Sequence, residues 1–348
     1  NIIDTGDYSG PGGARMLLRD PRTELAFLEV ARGGILRRGL PIDSVDVALI
    51  TNVASDHLGQ YGINTVEELA ETKFVVAKGL DAHGTLVLNA DNELVVKQGL
   101  KLGNKMCWFS TNESNALIQN HLKTGGAAVF IRNKHIIYAM GNKEEDIASL
   151  EQVPMTLNGA AEHNVQNALG VVGLSKALNL PTDAIRTGLK DFGSNAEDNP
   201  GRGNIYEING IKVLVDFAHN EHSMRAVVKT ITQLPAKRKI AMFSHAGDRS
   251  DDEIRNLTDA VTGLDASLYV VTELEHYLRG REIGDVPRIV GKYLRQQSIP
   301  SEKIHYATDP LQGTKIAMDF AQPGDVVLLF ILADREKVHE YLLQLGNP

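Results

Sequence analysis

Carboxylates, imidazoles and guanidinium groups gather in a few short stretches of this chain, most of them just after an apolar run. The first is Glu29-Val30-Ala31-Arg32-Gly33-Gly34. A carboxylate at a strand end sits where open α/β sheets bind ligands, and Glu29 there can hold Mg²⁺ beside phosphates. A solvated strand-end glutamate is the plainer alternative. The second stretch is Thr51-Asn52-Val53-Ala54-Ser55-Asp56-His57-Leu58-Gly59. His57 can ligate a metal or carry a proton, with a neighbouring group fixing its tautomer, and an ordinary loop histidine fits as well. Two strands delivering ligand-capable groups to one sheet edge say more than either alone.

Lys73 falls inside the apolar stripe of Val66, Leu69, Ala70, Val76, Ala77 and Leu80. A lysine there either snorkels its ammonium out of a packed face or serves a site. Glu162-His163-Asn164-Val165-Gln166-Asn167 opens a helix, with His163 and Asn167 one turn apart. Asparagine can give a donor and an acceptor to a base edge, although helix starts also take it as a cap. Arg202 precedes a strand, another strand ends in Asp216-Phe217-Ala218-His219-Asn220, and Gly247-Asp248-Arg249 leaves a third. A guanidinium, a carboxylate and an imidazole at strand ends can jointly grip a polyanion, while surface salt bridges would explain each one separately. No G-x-x-x-x-G-K-[ST] phosphate loop occurs: Gly34 and Gly39 have the spacing but are followed by Leu40 and Pro41.

Positioning these groups at strand ends requires sheets. Leu25–Ala31, Val45–Val53, Thr85–Asn89, Val213–Ala218, Ile240–Ser244, Leu268–Thr272 and Val326–Ala333 read as buried strands, apolar enough for parallel sheets covered on both faces. Thr65–Leu80, Ala161–Leu178, Pro181–Phe192, Met224–Leu234 and Asp251–Val261 carry the helical period. Thr65 and Glu68 make an S/T-x-x-E capping box at the first of these. The alternation predicts an α/β protein with two doubly wound, mainly parallel-sheet domains. Trp108–Ile147 is less regular and reads as an antiparallel appendage with a hairpin at Val129–Arg132 and His135–Met140. The breaker-rich run from Gly193 to Gly203 is the expected linker, giving domains 1–199 and 200–348.

Composition narrows the classes. The chain has 348 residues, 43% hydrophobic and 23% charged, enough for two cored domains. With 36 Lys and Arg against 44 Asp and Glu the net charge is −8, which disfavours a long nucleic-acid partner. One cysteine, Cys107, fits a reducing, cytoplasmic compartment. The apolar run Val326–Ala333 is far short of the roughly 20 residues that cross a bilayer, so no membrane partner is expected. No leader pattern opens the chain, and Asn1 lands mid-pattern, which reads as a fragment.

Together these stretches resemble the Mur ligase superfamily, most closely its cyanophycin synthetase branch. The resemblance rests on Gly6-Asp7-Tyr8-Ser9-Gly10-Pro11, Ala31-Arg32-Gly33-Gly34-Ile35-Leu36-Arg37, Thr51-Asn52 with Asp56-His57-Leu58-Gly59, and Leu88-Asn89-Ala90-Asp91. It continues through Pro200-Gly201-Arg202, Asp216-Phe217-Ala218-His219-Asn220, Gly247-Asp248-Arg249 and Arg279-Gly280-Arg281. It spans essentially the whole chain, and the Ala-Arg-Gly-Gly-Ile-Leu-Arg run is the part specific to the cyanophycin branch. Ala54-Ser55 departs from the Gly/Glu-rich insert more usual there.

The resemblance implies the central ATP-binding and C-terminal Rossmann-like domains of an ATP-dependent ligase. Such an enzyme joins a carboxylate to an amino acid's amine through an acyl phosphate. In the cyanophycin branch the amine is arginine's and the acceptor is an aspartyl side chain of a growing polymer. ATP and Mg²⁺ are the implied cofactors. Glu29 and His57 would be metal ligands, Lys73 would sit near the phosphates, and Asn164 and Asn167 would face the adenine. Arg202 would reach the terminal phosphates, Asp216 the ribose, and His219 and Asn220 the phosphate side; Lys73, Arg202 and His219 are the expected catalytic groups. The family's phosphate loop is absent from these 348 residues, so little turnover is expected of them alone. Another acceptor, such as a peptidoglycan precursor or a folylpolyglutamate-like substrate, and a non-catalytic binding module are the alternatives. The oligomeric state is left open, a homo-oligomer included.

Overall fold

The computed structural model describes residues 8–40, 42–55, 58–193, 195–196 and 198–346. They form two compact units, one drawn from Asn1–Gln152 and Asn164–Leu189, the other from Val153–His163 and Lys190–Pro348.

In the first unit, β1 (Val45–Ile50), β2 (Leu80–Asn89), β3 (Lys105–Ser110), β4 (Ala127–Arg132), β5 (His135–Met140) and β6 (Lys143–Ser149) form one sheet in sequence order. The first four are parallel, and β5 and β6 turn back antiparallel. Helices α1 (Pro11–Arg19), α2 (Arg32–Arg38), α3 (Val66–Lys73), α4 (Glu93–Gly99), α5 (Ala116–Lys123), α6 (Glu162–Ala177) and α7 (Thr182–Asp191) connect or follow the strands. One sheet face buries Leu86, Leu88, Trp108 and Phe130 with Leu69 of α3 and Ile118 of α5. On the other face Val87, Cys107 and Val129 meet α6, where a Cβ at Gly173 would lie 2.8 Å from Val87 Cγ1. Only a glycine lets that helix lie so close to the sheet.

Three local expectations are corrected. Leu25–Ala31 is not a strand: it has no regular secondary structure, with Leu25 47% and Phe27 58% exposed. β1 is bonded to β2 alone among the described residues, and without a ladder partner an apolar run is no strand. The helix at Thr65 keeps its capping box but ends at Lys73, passing into a 3₁₀ turn over Phe74–Gly79 that feeds β2. Stiff Val75 and Val76 and the glycine favour that ending. The hairpin of β4 and β5 is no appendage, because β3 and β4 pair in parallel and bury Trp108 within one continuous sheet.

The second unit follows with β7 (Asn204–Ile208), β8 (Ile211–Asp216), α8 (Glu221–Gln233), β9 (Lys239–Phe243), α9 (Asp251–Thr262) and β10 (Leu268–Thr272). Then come α10 (Asp285–Gln296), β11 (Ile304–Ala307), α11 (Pro310–Phe320), β12 (Val326–Phe330) and α12 (Arg335–Gly346). The sheet order is β11-β10-β9-β12-β8-β7, parallel except for the β7–β8 hairpin. Side chains alternate across it as the pleat demands. Leu214, Ala241, Phe243 and Leu328 pack under α8, α9 and α10, while Val213, Val215, Met242 and Leu329 pack under α11 and α12. The observed architecture is thus the doubly wound α/β type read from the sequence. No helix among the described residues is long and apolar enough to cross a membrane.

Candidate functional site

In the first unit, the expected groups lie along the chain that leaves the carboxyl ends of β1 and β2. Three side chains each serve one of three consecutive carbonyls there. Asn89 Nδ2 donates to Thr51 O at 2.9 Å, Lys73 Nζ to Asn52 O at 3.3 Å, and Asn92 Nδ2 to Val53 O at 3.0 Å. Lys73 therefore sits at the sheet edge, its ammonium held by the loop that precedes Asp56 and His57. His57 lies outside the described residues, and with it the expected juxtaposition to Glu29.

Glu29 is exposed on the irregular segment before α2. No group of three or more His, Cys, Asp or Glu able to hold a metal occurs among the described residues. A lone exposed carboxylate fits a Mg²⁺ that takes most of its ligands from water and phosphate, and does not fit an all-protein cage. In the first turns of α6, Asn167 Nδ2 donates to Asn164 Oδ1 at 3.4 Å, so the two amides orient one another. A cavity of about 540 Å³, lined in part by Leu100, Leu102, Trp108, Leu117 and Met140, opens by the amino ends of β3 and β4. That is the opposite edge from these groups.

In the second unit the candidate groups centre on the end of β8. Asp216 is buried and accepts from the backbone N–H of Ala218 at 2.7 Å. Burial pushes its carboxyl up to about 6, against the opposing pull of that N–H, of the Arg202 charge and of the Gly203 and Phe217 N–H groups. The carboxyl is thus held close to physiological pH. The next residue, Phe217, is a platform. The guanidinium carbons of Arg202 and of Arg335 each lie 5.1 Å from its ring centre, and the His219 ring is 5.3 Å away. His219 Nδ1 is 3.1 Å from Phe217 O. Asn220 caps α8, its side-chain oxygen accepting from Ser223 N at 2.9 Å, so that oxygen is already committed to the fold.

Beside it, the loop carrying Gly247-Asp248-Arg249 is pinned by Arg281, whose Nε donates to Gly247 O at 2.9 Å and Nη2 to Arg249 O at 2.7 Å. Arg279 pairs with Asp248 at 2.7 Å. His245 is buried and driven down to about 3 by burial and by the Arg249 charge, which keeps it neutral. Arg335 and His245 escaped the sequence reading. Arg335 carries no local motif, and its place beside Phe217 exists only because β12 lies next to β8 in the sheet.

Both halves of the chain match the same family: residues 12–175 match the Mur ligase middle domain, and residues 201–330 the domain described as "Mur ligase, glutamate ligase domain". The chain belongs to the Mur ligase superfamily. Within it, the chain is similar to cyanophycin synthetase from a Nostoc species, at 31% identity over 328 residues, which is 94% of this chain and 36% of that protein. The chain thus spans about a third of the length of the curated relatives it matches. Among solved structures, MurF from Acinetobacter baumannii superposes with a TM-score of 0.59 at 17% identity, over 91% of this chain and 64% of that one. MurF from Thermotoga maritima, solved in complex with ADP, superposes with a TM-score of 0.55 at 18% identity, over 86% and 63%. At such identities these two speak for the fold.

Proposed function

We propose that this chain is the ligase portion of an ATP-dependent amide ligase that adds arginine to aspartyl side-chain carboxylates of an acceptor polymer, through an acyl phosphate. The observation that carries the reading is the 31% identity to cyanophycin synthetase sustained over 94% of the chain. The polar groups at the end of β8 support it. In this reading Asp216, fixed by backbone N–H groups, accepts from the ribose of the nucleotide, and Arg202 and His219 offset charge developing on the transferred phosphate. Asn220 lines the phosphate side.

In the first unit Asn164 and Asn167 receive the adenine edge, their mutual hydrogen bond fixing which amide atom faces outward. Lys73 stands near the phosphates, its ammonium aimed by the Asn52 carbonyl. Glu29 and His57 are assigned to Mg²⁺, which supplies charge neutralisation on the phosphates when bound. Conversion of the carboxylate to an acyl phosphate replaces a hydroxide leaving group by phosphate, which the incoming amine displaces. The reading places the protein in the cytoplasm, with amino acid and polymer as partners and no nucleic acid.

The test is ADP release that depends on both arginine and an aspartate-containing primer. It is run on this chain and on a version carrying a G-x-x-x-x-G-K-[ST] loop segment. These 348 residues contain no such segment, whose amides and lysine hold the β- and γ-phosphates, so the chain alone is expected to turn over slowly. Glu29→Ala and His57→Ala should cripple the loop-bearing form. Release stimulated by another amino acid and not by arginine would overturn the substrate assignment.

A further inference from the structure

We propose that the cavity at the amino ends of β3 and β4 is a binding site for a small amphipathic monocarboxylate, an apolar body carrying one anionic group. Its volume of about 540 Å³ falls within the roughly 300–1,000 Å³ of small-molecule sites. The cavity is separate from the groups assigned to the nucleotide, because it opens at the sheet edge opposite Lys73 and Asn89.

Its walls are fixed by the fold. Trp108 of β3 is packed so closely that a Cβ at Gly99, the last residue of α4, would stand 2.8 Å from its Cη2 atom. His121 of α5 lies against the turn into β4, where a Cβ at Gly126 would collide with its ring, and its Nε2 donates to Met106 O at 3.1 Å. Gly126 N donates to His121 O at 2.9 Å, and Gly126 O accepts from Gly141 N at 3.0 Å, which ties this turn to the end of β5. On the side of α4, Leu102 N donates to Gly99 O at 2.9 Å. A ligand entering such a cavity has little chain to order.

The lining combines apolar area with positive charge. Leu100 is 62% and Met140 51% exposed, and both line the cavity together with Leu102, Leu117 and Trp108. Apolar side chains exposed singly are ordinary, whereas several around one cavity mark a binding surface. Lys105 lines it too, and no carboxylate does. The stretch from Lys97 to Lys105 also carries Lys101 and has no acid, in a chain of net charge −8, so the local field is positive. Among the described residues Lys105 makes no ion pair, and Asn104 and Asn120, also in the lining, make no side-chain hydrogen bond. One ammonium and two amides can hold one carboxylate. A phosphate dianion would leave a charge unbalanced, and a neutral apolar molecule would strip water from all three groups without replacing it. A second copy of the chain is a poorer occupant, since these few side chains fall far short of the roughly 800 Å² per partner of a stable interface.

Trp108 is the chain's single tryptophan, so its fluorescence and its indole NMR signal report on this cavity without background. The experiment titrates the intact chain at neutral pH with phenylbutyrate, with the uncharged phenylbutanol and with acetate. It is run on the wild type and on Lys105→Gln, Leu102→Glu and Lys123→Gln. All three positions are exposed, so the fold should hold, and Lys123 lies outside the lining. Phenylbutyrate should shift the Trp108 signal saturably and bind about fivefold more tightly than phenylbutanol. Lys105→Gln should abolish that preference, Leu102→Glu should weaken the acid more than the alcohol, and Lys123→Gln should change neither. Acetate, with the charge but no apolar body, should leave the signal in place. Overturning results are no saturable shift with phenylbutyrate, equal binding of acid and alcohol, a preference that survives Lys105→Gln, or the same loss in Lys123→Gln. A Trp108 signal that moves with protein concentration alone would make this face a contact between copies, and would overturn the small-molecule site as well.

Discussion

Asn89, only 1% exposed, ends β2 and donates its Nδ2 hydrogen to the carbonyl of Thr51 just beyond the end of β1, 2.9 Å away. Its Oδ1 in turn accepts from Asp91 N at 2.8 Å, so one amide ties together the exits of two neighbouring strands. Truncation leaves a carbonyl and an N–H without their partner. Asn89→Ala should therefore cost about 1–3 kcal/mol of stability, read from the urea midpoint. A loss below about 0.5 kcal/mol would mean that water serves both groups equally well.

The buried Asp216 makes a pH prediction with a defined sign. Its carboxyl titrates at about 6 in the folded protein against a reference of 3.8, so the protonated form is the one that folding favours. The associated stability is fully present below about pH 4 and is lost as the pH rises through 6. Relative to Asp216→Asn, which does not titrate, the wild-type protein should lose on the order of 3 kcal/mol between those limits. Urea unfolding of both proteins at several pH values checks this. Parallel stability curves would show that the carboxylate is as well solvated in the fold as in the unfolded chain.

These two residues show what a sequence can reveal. Asp216 is legible because β8 is an inner strand, paired in parallel with β12 and antiparallel with β7. Both faces are buried, the strand reads as a continuous apolar run, and a carboxylate closing such a run stands out. The same logic picks out β9, β10 and β12. It misleads at Leu25–Ala31, where the residue types suit a strand but no neighbour supplies a ladder. Lys73 was ambiguous because a helical stripe shows which face a residue takes, not that the helix ends there against the Asn52 carbonyl. Arg335 was beyond reach, since its relation to Phe217 is set by the order of strands and not by any spacing along the chain.

Gly247 offers a steric prediction. A Cβ at this position would lie 2.0 Å from Leu278 O and 2.8 Å from its carbonyl carbon, and Gly247 N donates to Tyr277 O at 2.8 Å. The obstacle is the backbone of Tyr277 and Leu278, so no side-chain rotation relieves the clash. Gly247→Ala should cost about 2 kcal/mol or more and displace the segment that carries Arg279 and Arg281. Thermal unfolding with amide chemical-shift mapping reads both effects. A variant of unchanged stability, with shifts confined to its immediate neighbours, would refute this account.

The proposed boundary between the domains, at Asn199 and Pro200, makes a prediction about cleavage. The run from Gly193 to Gly203 is polar and breaker-rich, which favours protease access, but its second half is anchored. Asn204, buried at the start of β7, donates its Nδ2 to Asn195 O at 2.8 Å and to Asn199 O at 2.9 Å, while its Oδ1 accepts from Gly201 N at 2.5 Å. A protease needs the chain pulled free of its own contacts, and freeing Asn199–Gly201 would break these bonds at about 1 kcal/mol each. Brief subtilisin digestion should therefore cut first between Gly193 and Asn199, at ends that mass spectrometry locates. Asn204→Ala should release the anchor, speed cleavage and let it spread toward Gly203. First cuts within Thr65–Leu80 or Ile211–Ala218, with this run intact, would show that the boundary lies elsewhere.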